Sequence, residues 1–462
     1  MRLVVTIFEP TAEKAIAAIG SLNSDHDLVE IRLDALANPQ TDLRPFRQAT
    51  AKPIIATLRG GGHVEFDRAF AAGIDFVDVE YAPGVELGPH PSRVVVSHHD
   101  FHGVPDLGPL LVRMRALGCG YTKVAVTPRN FAENRAVLEA AGNGVTMIGM
   151  GERGLYSRIA APFYGSELQF VSVDDRRSAA PGQLSLDRAL DIYGQQRESL
   201  RAAHLFAVIG NPAGHSGSPA IHNRRFRQRG VAAAYTIAST DSFTDVADPF
   251  ARGVRFAPAG LSVTAPFKEE AFEFAQRVGA RVGRNATEAG AVNTLLRGSD
   301  GFFADNTDID GFLSILQEVC GSERKSVAIV GAGGTARAAL VATRRAGMRA
   351  VVYNRTADRA RTFADRVESL AMLARFDGEI VINTLPAGVE VPMPLRPGMT
   401  YIQAAYASSP SSSADERPHQ SALDGIQQFS GFDLLAAQAI RQNDLFVAVC
   451  NGEPLQDRIQ TS

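Results

Sequence analysis

The stretch Ser326-Val-Ala-Ile-Val-Gly-Ala-Gly-Gly-Thr-Ala-Arg337 reads as a short apolar strand running straight into a glycine-rich turn and then a helix. Such a turn lets backbone N–H groups approach a pyrophosphate, and the helix N-terminus adds favourable partial charge. Gly331, Gly333 and Ala336 fill the small positions of a G-x-G-x-x-G/A pattern, with Ala332, Gly334 and Thr335 completing the turn. A tight strand–helix turn without a ligand would look the same in isolation, so the next strand decides. Ala350-Val-Val-Tyr-Asn-Arg-Thr356 ends without the acid that would bond the free ribose hydroxyls of NAD. Arg355 at that position suits a 2′-phosphate, so the expected cofactor is NADP.

Upstream of this segment the pattern is also α/β. The first two hundred residues alternate β-branched runs with amphipathic stretches, giving candidate strands at 3–7, 28–33, 53–58, 76–80, 93–98, 121–126, 146–149 and 169–173. Eight such repeats predict a closed (β/α)8 barrel, whose sites lie at the C-terminal strand ends. Polar groups gather there: Glu30 and Arg32, Arg59, His98 and His99, Lys123, and Arg158 beyond the seventh strand. A helix is expected over 184–200 and a new strand at 204–210. The expected fold is therefore α/β, an N-terminal (β/α)8 barrel followed by a two-subdomain α/β part with a Rossmann-like NADP domain. The expected pieces are 1–202, 203–308 completed by 431–462, and 309–430. The Ser-, Pro- and charge-rich run 408–418 reads as a loop.

Composition narrows the function classes. The 462 residues are 45% apolar and 21% charged with a net charge of −3, a balance that gives no electrostatic case for nucleic acid or an anionic membrane. No apolar run reaches the roughly 18–20 residues that span a bilayer, and the N-terminus reads as a strand rather than a signal peptide. Cys119, Cys320 and Cys450 are odd in number and lack metal spacing, as expected of reduced thiols in a cytoplasmic protein without a metal. Small-molecule substrates are the expected partners, with an oligomer allowed.

Period-2 alternation in Gly120-Tyr-Thr-Lys-Val-Ala-Val126 places Lys123 with Tyr121 and Ala125, facing the barrel interior if the opposite face packs outward. Burial favours a neutral amine, the form that attacks a carbonyl. A lysine snorkelling from a strand end is the competing reading. His99, in Val-Ser-His-His-Asp-Phe101, is a strand-end general acid/base candidate beside it, although a single histidine is more often structural. Arg32, Arg59 and Arg158 could each clamp a carboxylate or form an ordinary ion pair. In the second half, Ser216 and Ser218, Thr264 and Lys268, Asn293, and Asp305 outline a polar pocket for a hydroxylated carboxylate. A Lys268–Asp305 pair could relay the proton that accompanies hydride transfer, or be a structural salt bridge.

With these residues in place, residues 1 to about 200 resemble a type I 3-dehydroquinate dehydratase, and the remainder resembles a shikimate dehydrogenase. The first resemblance rests on Lys-Val-Ala-Val-Thr-Pro128, Ser97-x-His-Asp-Phe101, Glu30-x-Arg-x-Asp34, the Thr-Leu-Arg59 run, Ser157-Arg158 and Ala-Pro-Gly-Gln183. It implies Lys123 as Schiff-base lysine and His99 as its acid/base partner. Glu30, Arg32, Arg59, Arg158 and Gln183 become substrate contacts. The family's glutamate after the first arginine is missing from Arg59-Gly-Gly-Gly-His-Val-Glu65, leaving His63, Glu65 or other groups to orient His99. Ala179 stands where the family has Ser or Thr.

The second resemblance rests on the Ser216/Ser218 loop, Val-Thr264-Ala-Pro-Phe-Lys268, Gly-Ala-Val-Asn293-Thr, Asp305-Asn-Thr-Asp308 and the turn Asn354-Arg355-Thr356. It implies Lys268 and Asp305 as the catalytic pair, with Asn293, Tyr406 and Gln438 on the substrate. The acid usual before Tyr406 is Gln403, and Ser262 replaces an asparagine. The implied enzyme dehydrates 3-dehydroquinate and then reduces 3-dehydroshikimate to shikimate with NADPH. A ligand sensor without turnover and a catabolic quinate/shikimate dehydrogenase are the alternatives.

Overall fold

The computed structural model describes residues 1–60, 64–142, 144–195, 197, 200–319, 325–386, 389, 393–405, 421–423, 425–456 and 458. Two compact units emerge, Met1–Ala203 with Ala232–Ser239, and His204–Val231 with Thr240–Ser462.

In the first unit eight parallel strands follow one another round a nearly closed barrel: β1 (Arg2–Ile7), β2 (Leu28–Arg32), β3 (Ile54–Thr57), β4 (Phe76–Glu80), β5 (Val94–Asp100), β6 (Tyr121–Val126), β7 (Val145–Gly149) and β8 (Leu168–Ser172). β1 pairs with both β2 and β8. At the remaining seam, between β7 and β8, side chains stand in for the ladder. The Met147 N–H donates to Ser166 Oγ and the Leu168 N–H to Thr146 Oγ1, each at 3.1 Å. These bonds satisfy buried N–H groups that would otherwise be orphaned.

Alternation sorts the strand residues into layers. Val4, Leu28, Ile55, Val95 and Leu168, with Phe76 and Tyr121 against them, form an apolar floor inside the barrel. Two residues further along β1 to β6, Thr6, Glu30, Thr57, Asp78, Ser97 and Lys123 are all buried, so on these strands the layer above the floor is polar. Each chemical group therefore stands on a rigid strand above a packed base.

Helix 184–200 of the sequence reading is shorter in the structure, Leu186–Tyr193, because Gly194 adopts a positive φ of 73° and stops it. Ala233–Ser239 (β10) is grouped with the barrel unit. Thr236 Oγ1 donates to the Tyr156 carbonyl at 2.8 Å, and Ser239 Oγ to Glu152 at 2.7 Å.

The second unit holds two sheets. In one, β9 (His204–Gly210) runs parallel to β11 (Gly260–Val263), with β12 (Arg281–Val282), β13 (Thr294–Gly298) and β14 (Gly301–Asp305) beyond. The other has the order β17-β16-β15-β18-β19-β21-β20, built from β15 (Ser326–Val330), β16 (Arg349–Asn354), β17 (Val367–Ser369), β18 (Ile380–Asn383), β19 (Thr400–Gln403), β20 (Ser421–Leu423) and β21 (Ile426–Phe429). Val327, Ile329, Val352 and Ile382 pack into one face and Ala328, Val330, Tyr353 and Val381 into the other. That two-sided burial is why these strands read as continuous apolar runs. The last helix, Gly431–Cys450, starts at a Ser430/Asp433 capping box. It packs against β13 and the helices Ser218–Gln228 and Asp308–Val319.

Candidate active sites

The polar layer of the barrel opens into a cavity of about 640 Å³ lined by Glu30, Arg32, Arg59, Glu80, His99, Lys123, Arg158 and Gln183. Every dehydratase residue expected from the sequence is thus brought to one place. Lys123 is 5% exposed; its Nζ lies 3.6 Å from Glu30 Oε1, 3.7 Å from Asp78 Oδ2 and 3.7 Å from the centre of the Phe170 ring. Glu30 is fixed by hydroxyl donors on both oxygens, Thr6 at 2.8 Å and Thr57 at 2.9 Å. Gln183 donates to the same Thr6 hydroxyl at 3.2 Å.

His99 Nδ1 lies 2.7 Å from Glu80 Oε2, and its backbone N–H donates to Glu80 Oε1 at 2.9 Å. A carboxylate on Nδ1 favours the Nδ1–H tautomer, which leaves Nε2 basic. Burial is the main reason the imidazole sits below its ordinary pKa; Glu80 opposes that shift, while Lys123 and Arg59 reinforce it. The acid that orients His99 therefore comes from β4. Asp78 belongs to the same set. Burial alone would raise its carboxyl, but Arg59 at 2.8 Å and Lys123 outweigh that and hold it at about 2.

In the barrel, Asp78 and Glu80 are the two residues the sequence reading missed. Their signal was present in Phe-Val-Asp-Val-Glu80, where alternation turns both acids to the lumen. Arg59 bridges them, bonding Glu80 and Ser97 Oγ at 2.9 Å each. Arg32 pairs with Asp34 at 2.7 Å. Arg158 differs from both. It is 2% exposed, donates once to the Phe170 carbonyl at 3.2 Å, and has no partner for Nε and Nη1. Burial pulls it down to about 10, and a charge so placed calls for an anion in the cavity.

In the second unit Lys268 opens the helix Lys268–Arg277. Its Nζ donates to Asp308 Oδ2 at 2.5 Å and to Thr335 Oγ1 at 3.0 Å. The expected Lys268–Asp305 pair is therefore corrected to Lys268–Asp308. Asp305 ends β14 with its side chain fully buried toward Asp310 and Arg441, whereas Asp308 begins the following helix and reaches the lysine. Asn293 Nδ2 donates to Asp308 Oδ1 at 2.9 Å, and Thr307 Oγ1 donates to Gln438 Oε1 at 2.8 Å. Asn293 and Gln438 thus join Lys268 in one cluster.

Ser216 Oγ accepts the Ser218 N–H at 3.2 Å. A Cβ on Gly217 would meet Phe432 and Leu435, so this loop lies against the start of the helix that carries Gln438. Thr264 follows β11, its methyl against Gly210. Ser262 Oγ donates to Gln442 at 2.7 Å, so a glutamine of the last helix reaches the position where an asparagine was expected. Tyr406 lies outside the described residues, as do His63 and the run 408–418.

The glycine-rich turn has the form a dinucleotide needs. Gly331 has a φ of +119°, and a Cβ there would lie 2.3 Å from Thr384 Oγ1. Gly333 is the N-cap of the helix Gly334–Arg345, and a Cβ there would face open space. Ala336 is buried in the packing of that helix, and Ala332 is buried beside it. Asn354 Nδ2 donates to the Thr356 carbonyl at 2.8 Å and shapes the turn that presents exposed Arg355. These residues fit a phosphorylated dinucleotide: helix N–H groups for the pyrophosphate and a guanidinium for the extra phosphate. Among the described residues no group of three or more His, Cys, Asp or Glu side chains could hold a metal ion, and no helix is long and apolar enough to cross a membrane.

Residues 3–199 match the type I 3-dehydroquinase family, and residues 208–295 match the shikimate dehydrogenase substrate binding domain. The chain is 31% identical over 414 residues to the bifunctional 3-dehydroquinate dehydratase/shikimate dehydrogenase of Arabidopsis thaliana, covering 79% of this chain and 67% of that one. It is 34% identical over 215 residues to the 3-dehydroquinate dehydratase of Methanothermobacter thermautotrophicus, spanning 42% of this chain and 96% of that protein. The shikimate dehydrogenase (NADP(+)) of Aromatoleum aromaticum is 35% identical over 255 residues, with 51% of this chain and 88% of the relative aligned. With both halves matched in order along one polypeptide, the chain belongs to the bifunctional 3-dehydroquinate dehydratase/shikimate dehydrogenase family.

Proposed function

We infer that the barrel dehydrates 3-dehydroquinate to 3-dehydroshikimate through a Schiff base, and that the second unit reduces this product to shikimate with NADPH. The observation that carries the first step is Lys123, buried among Glu30, Asp78 and Phe170 in the cavity that also holds His99. Lys123 Nζ attacks the C3 ketone, whose oxygen leaves as water, and forms an iminium. The iminium draws electrons from the neighbouring carbon, so His99 Nε2 can remove a proton there. The same imidazolium then protonates the C1 hydroxyl as it departs as water, and hydrolysis frees the amine. Arg158 supplies the buried cation for the substrate carboxylate.

In the second unit NADPH, when bound, supplies the hydride. Lys268 stands ready to donate a proton to the oxygen that gains charge, and Asp308 holds that proton's source in place at 2.5 Å. Asn293 and Gln438 orient the hydroxylated ring from the side of Asp308 and Thr307. A sensor without turnover would have no need of the Glu80–His99 bond or of the Lys268–Asp308 pair.

Borohydride added to the protein with 3-dehydroquinate should reduce the imine and leave a stable adduct on the peptide that contains Lys123, visible by mass spectrometry. Lys123→Ala should give no adduct. An unmodified Lys123 peptide under turnover would remove the covalent step from the reading.

A further inference from the structure

Asp305 is a buried carboxylate that the reaction does not use, and it is wired to residues that the reaction does use. Its Oδ1 accepts the Asn306 N–H at 2.9 Å. Its backbone carbonyl accepts the Asn293 N–H at 3.2 Å. Asn306 in turn donates through Nδ2 to the Ala291 carbonyl at 2.8 Å and accepts the Asp308 N–H on Oδ1 at 3.2 Å. Thr307 closes the loop by donating its N–H to Asn293 Oδ1 at 2.8 Å. Asp305, Asn306 and Thr307 are all fully buried, so the turn has no water to fall back on.

We propose that Asp305 is a positioning residue for the reduction site: its carboxylate pins the start of the turn 306–308, and through that turn fixes Asp308 and Asn293 relative to Lys268. This rests on the assignment of reduction to the second unit.

The surroundings of Asp305 make the anchor sensitive to charge. Its second oxygen, Oδ2, has no hydrogen-bond partner. Burial is the main reason its carboxyl is raised to about 6, and Asp310 on the next helix adds to the shift. The Asn306 N–H, the Ala286 N–H and Arg441 of the last helix pull the other way. Arg345, on the helix that follows the glycine-rich turn, bonds Asn285 at 2.6 Å, and Asn285 donates to Asp310 at 3.1 Å. A hydrogen bond to an ionised acceptor is roughly twice as strong as one to a neutral acceptor, so protonation weakens the hold on Asn306.

The test compares wild type with Asp305→Asn and Asp305→Ala, assaying NADPH oxidation with 3-dehydroshikimate from pH 5 to pH 8. Dehydration of 3-dehydroquinate by the same chain is the internal control for folding. Asp305→Asn copies the protonated state, so its kcat at pH 8 should fall about tenfold toward the wild-type value at pH 5, as expected for loss of a charge-assisted bond. Its profile should lack the wild-type acid limb near pH 6, and KM for 3-dehydroshikimate should change by less than about twofold because the substrate-facing groups remain. Asp305→Ala, which has no acceptor at all, should fall further. A wild-type kcat and an unchanged acid limb in Asp305→Asn would overturn the proposal. A wild-type chain that oxidises no NADPH would instead remove the reductase assignment and this proposal with it.

Discussion

The proposed chemistry of the barrel turns on Glu80. The sequence alone leaves His99 without the acid expected after Arg59, and the structure supplies one from the neighbouring strand at 2.7 Å. Glu80 also bonds Arg59, so it links His99 to a guanidinium that lines the same cavity. Glu80→Gln keeps the shape but not the charge. It should lower kcat for dehydration by about 100-fold, the scale of general acid–base catalysis, while reduction of 3-dehydroshikimate stays at the wild-type rate. The pH profile carries the sharper sign. Burial already holds His99 below the ordinary imidazole value and Glu80 partly opposes this, so the acid limb in wild type should lie below pH ~6.5. Removing the Glu80 charge should move that limb to still lower pH. A limb that moves upward would show that Glu80 does not act on the histidine.

Residue type and spacing made most of this site legible, and the failures have definite causes. Lys123, His99 and the three arginines could be placed because strand ends of a barrel converge on one face. Asp78 and Glu80 escaped because a two-acid strand end is common and only the register of β4 with β5 brings Glu80 beside Ser97 and His99. The Asp-Asn-Thr-Asp run holds two acids three residues apart, and no spacing rule says which one reaches a lysine 37 or 40 positions upstream. The strand-to-helix junction decides: Asp305 is still on β14, and Asp308 is the first residue of the helix.

At the scale of elements, strands were easier to read than helices. Those of the barrel and of the nucleotide-type sheet are buried on both faces, so their sequences are apolar runs bounded by polar ends. The helix before the second unit was read too long because Gly194 was not taken as its stop. The glycine-rich turn offers a test of element geometry. At Gly331 a side chain would have to adopt a φ of +119° and displace Thr384, whose hydroxyl donates to the Val330 carbonyl at 2.8 Å. Strain of this kind is worth about 1–3 kcal/mol. Gly331→Ala should therefore raise the KM for NADPH by about tenfold or more, since 1.4 kcal/mol is a factor of ten. Dehydration by the barrel, which has no part in this turn, should be unchanged. An unaltered KM for NADPH would show that the turn does not meet the cofactor.

At the scale of the molecule, the product of one proposed step is the substrate of the other, and Lys123 and Lys268 each lie in their own compact unit. The wild-type chain should thus oxidise NADPH when given 3-dehydroquinate alone. Lys123→Ala should fail with 3-dehydroquinate yet reduce 3-dehydroshikimate normally, and Lys268→Ala should show the reverse defect, dehydrating without reducing. Both lysines are largely buried, so each variant leaves carboxylates without their cation, and the intact activity of the other unit reports on folding. Mixing the two variants discriminates between two ways of coupling the steps. The intermediate is a small carboxylate that leaves the barrel once its imine is hydrolysed, so the mixture should oxidise NADPH from 3-dehydroquinate after a lag. That lag should shorten as the Lys123→Ala protein is increased, because it supplies the reducing sites. A mixture that stays silent while each variant keeps its single activity would mean that both reactions must occur on one chain.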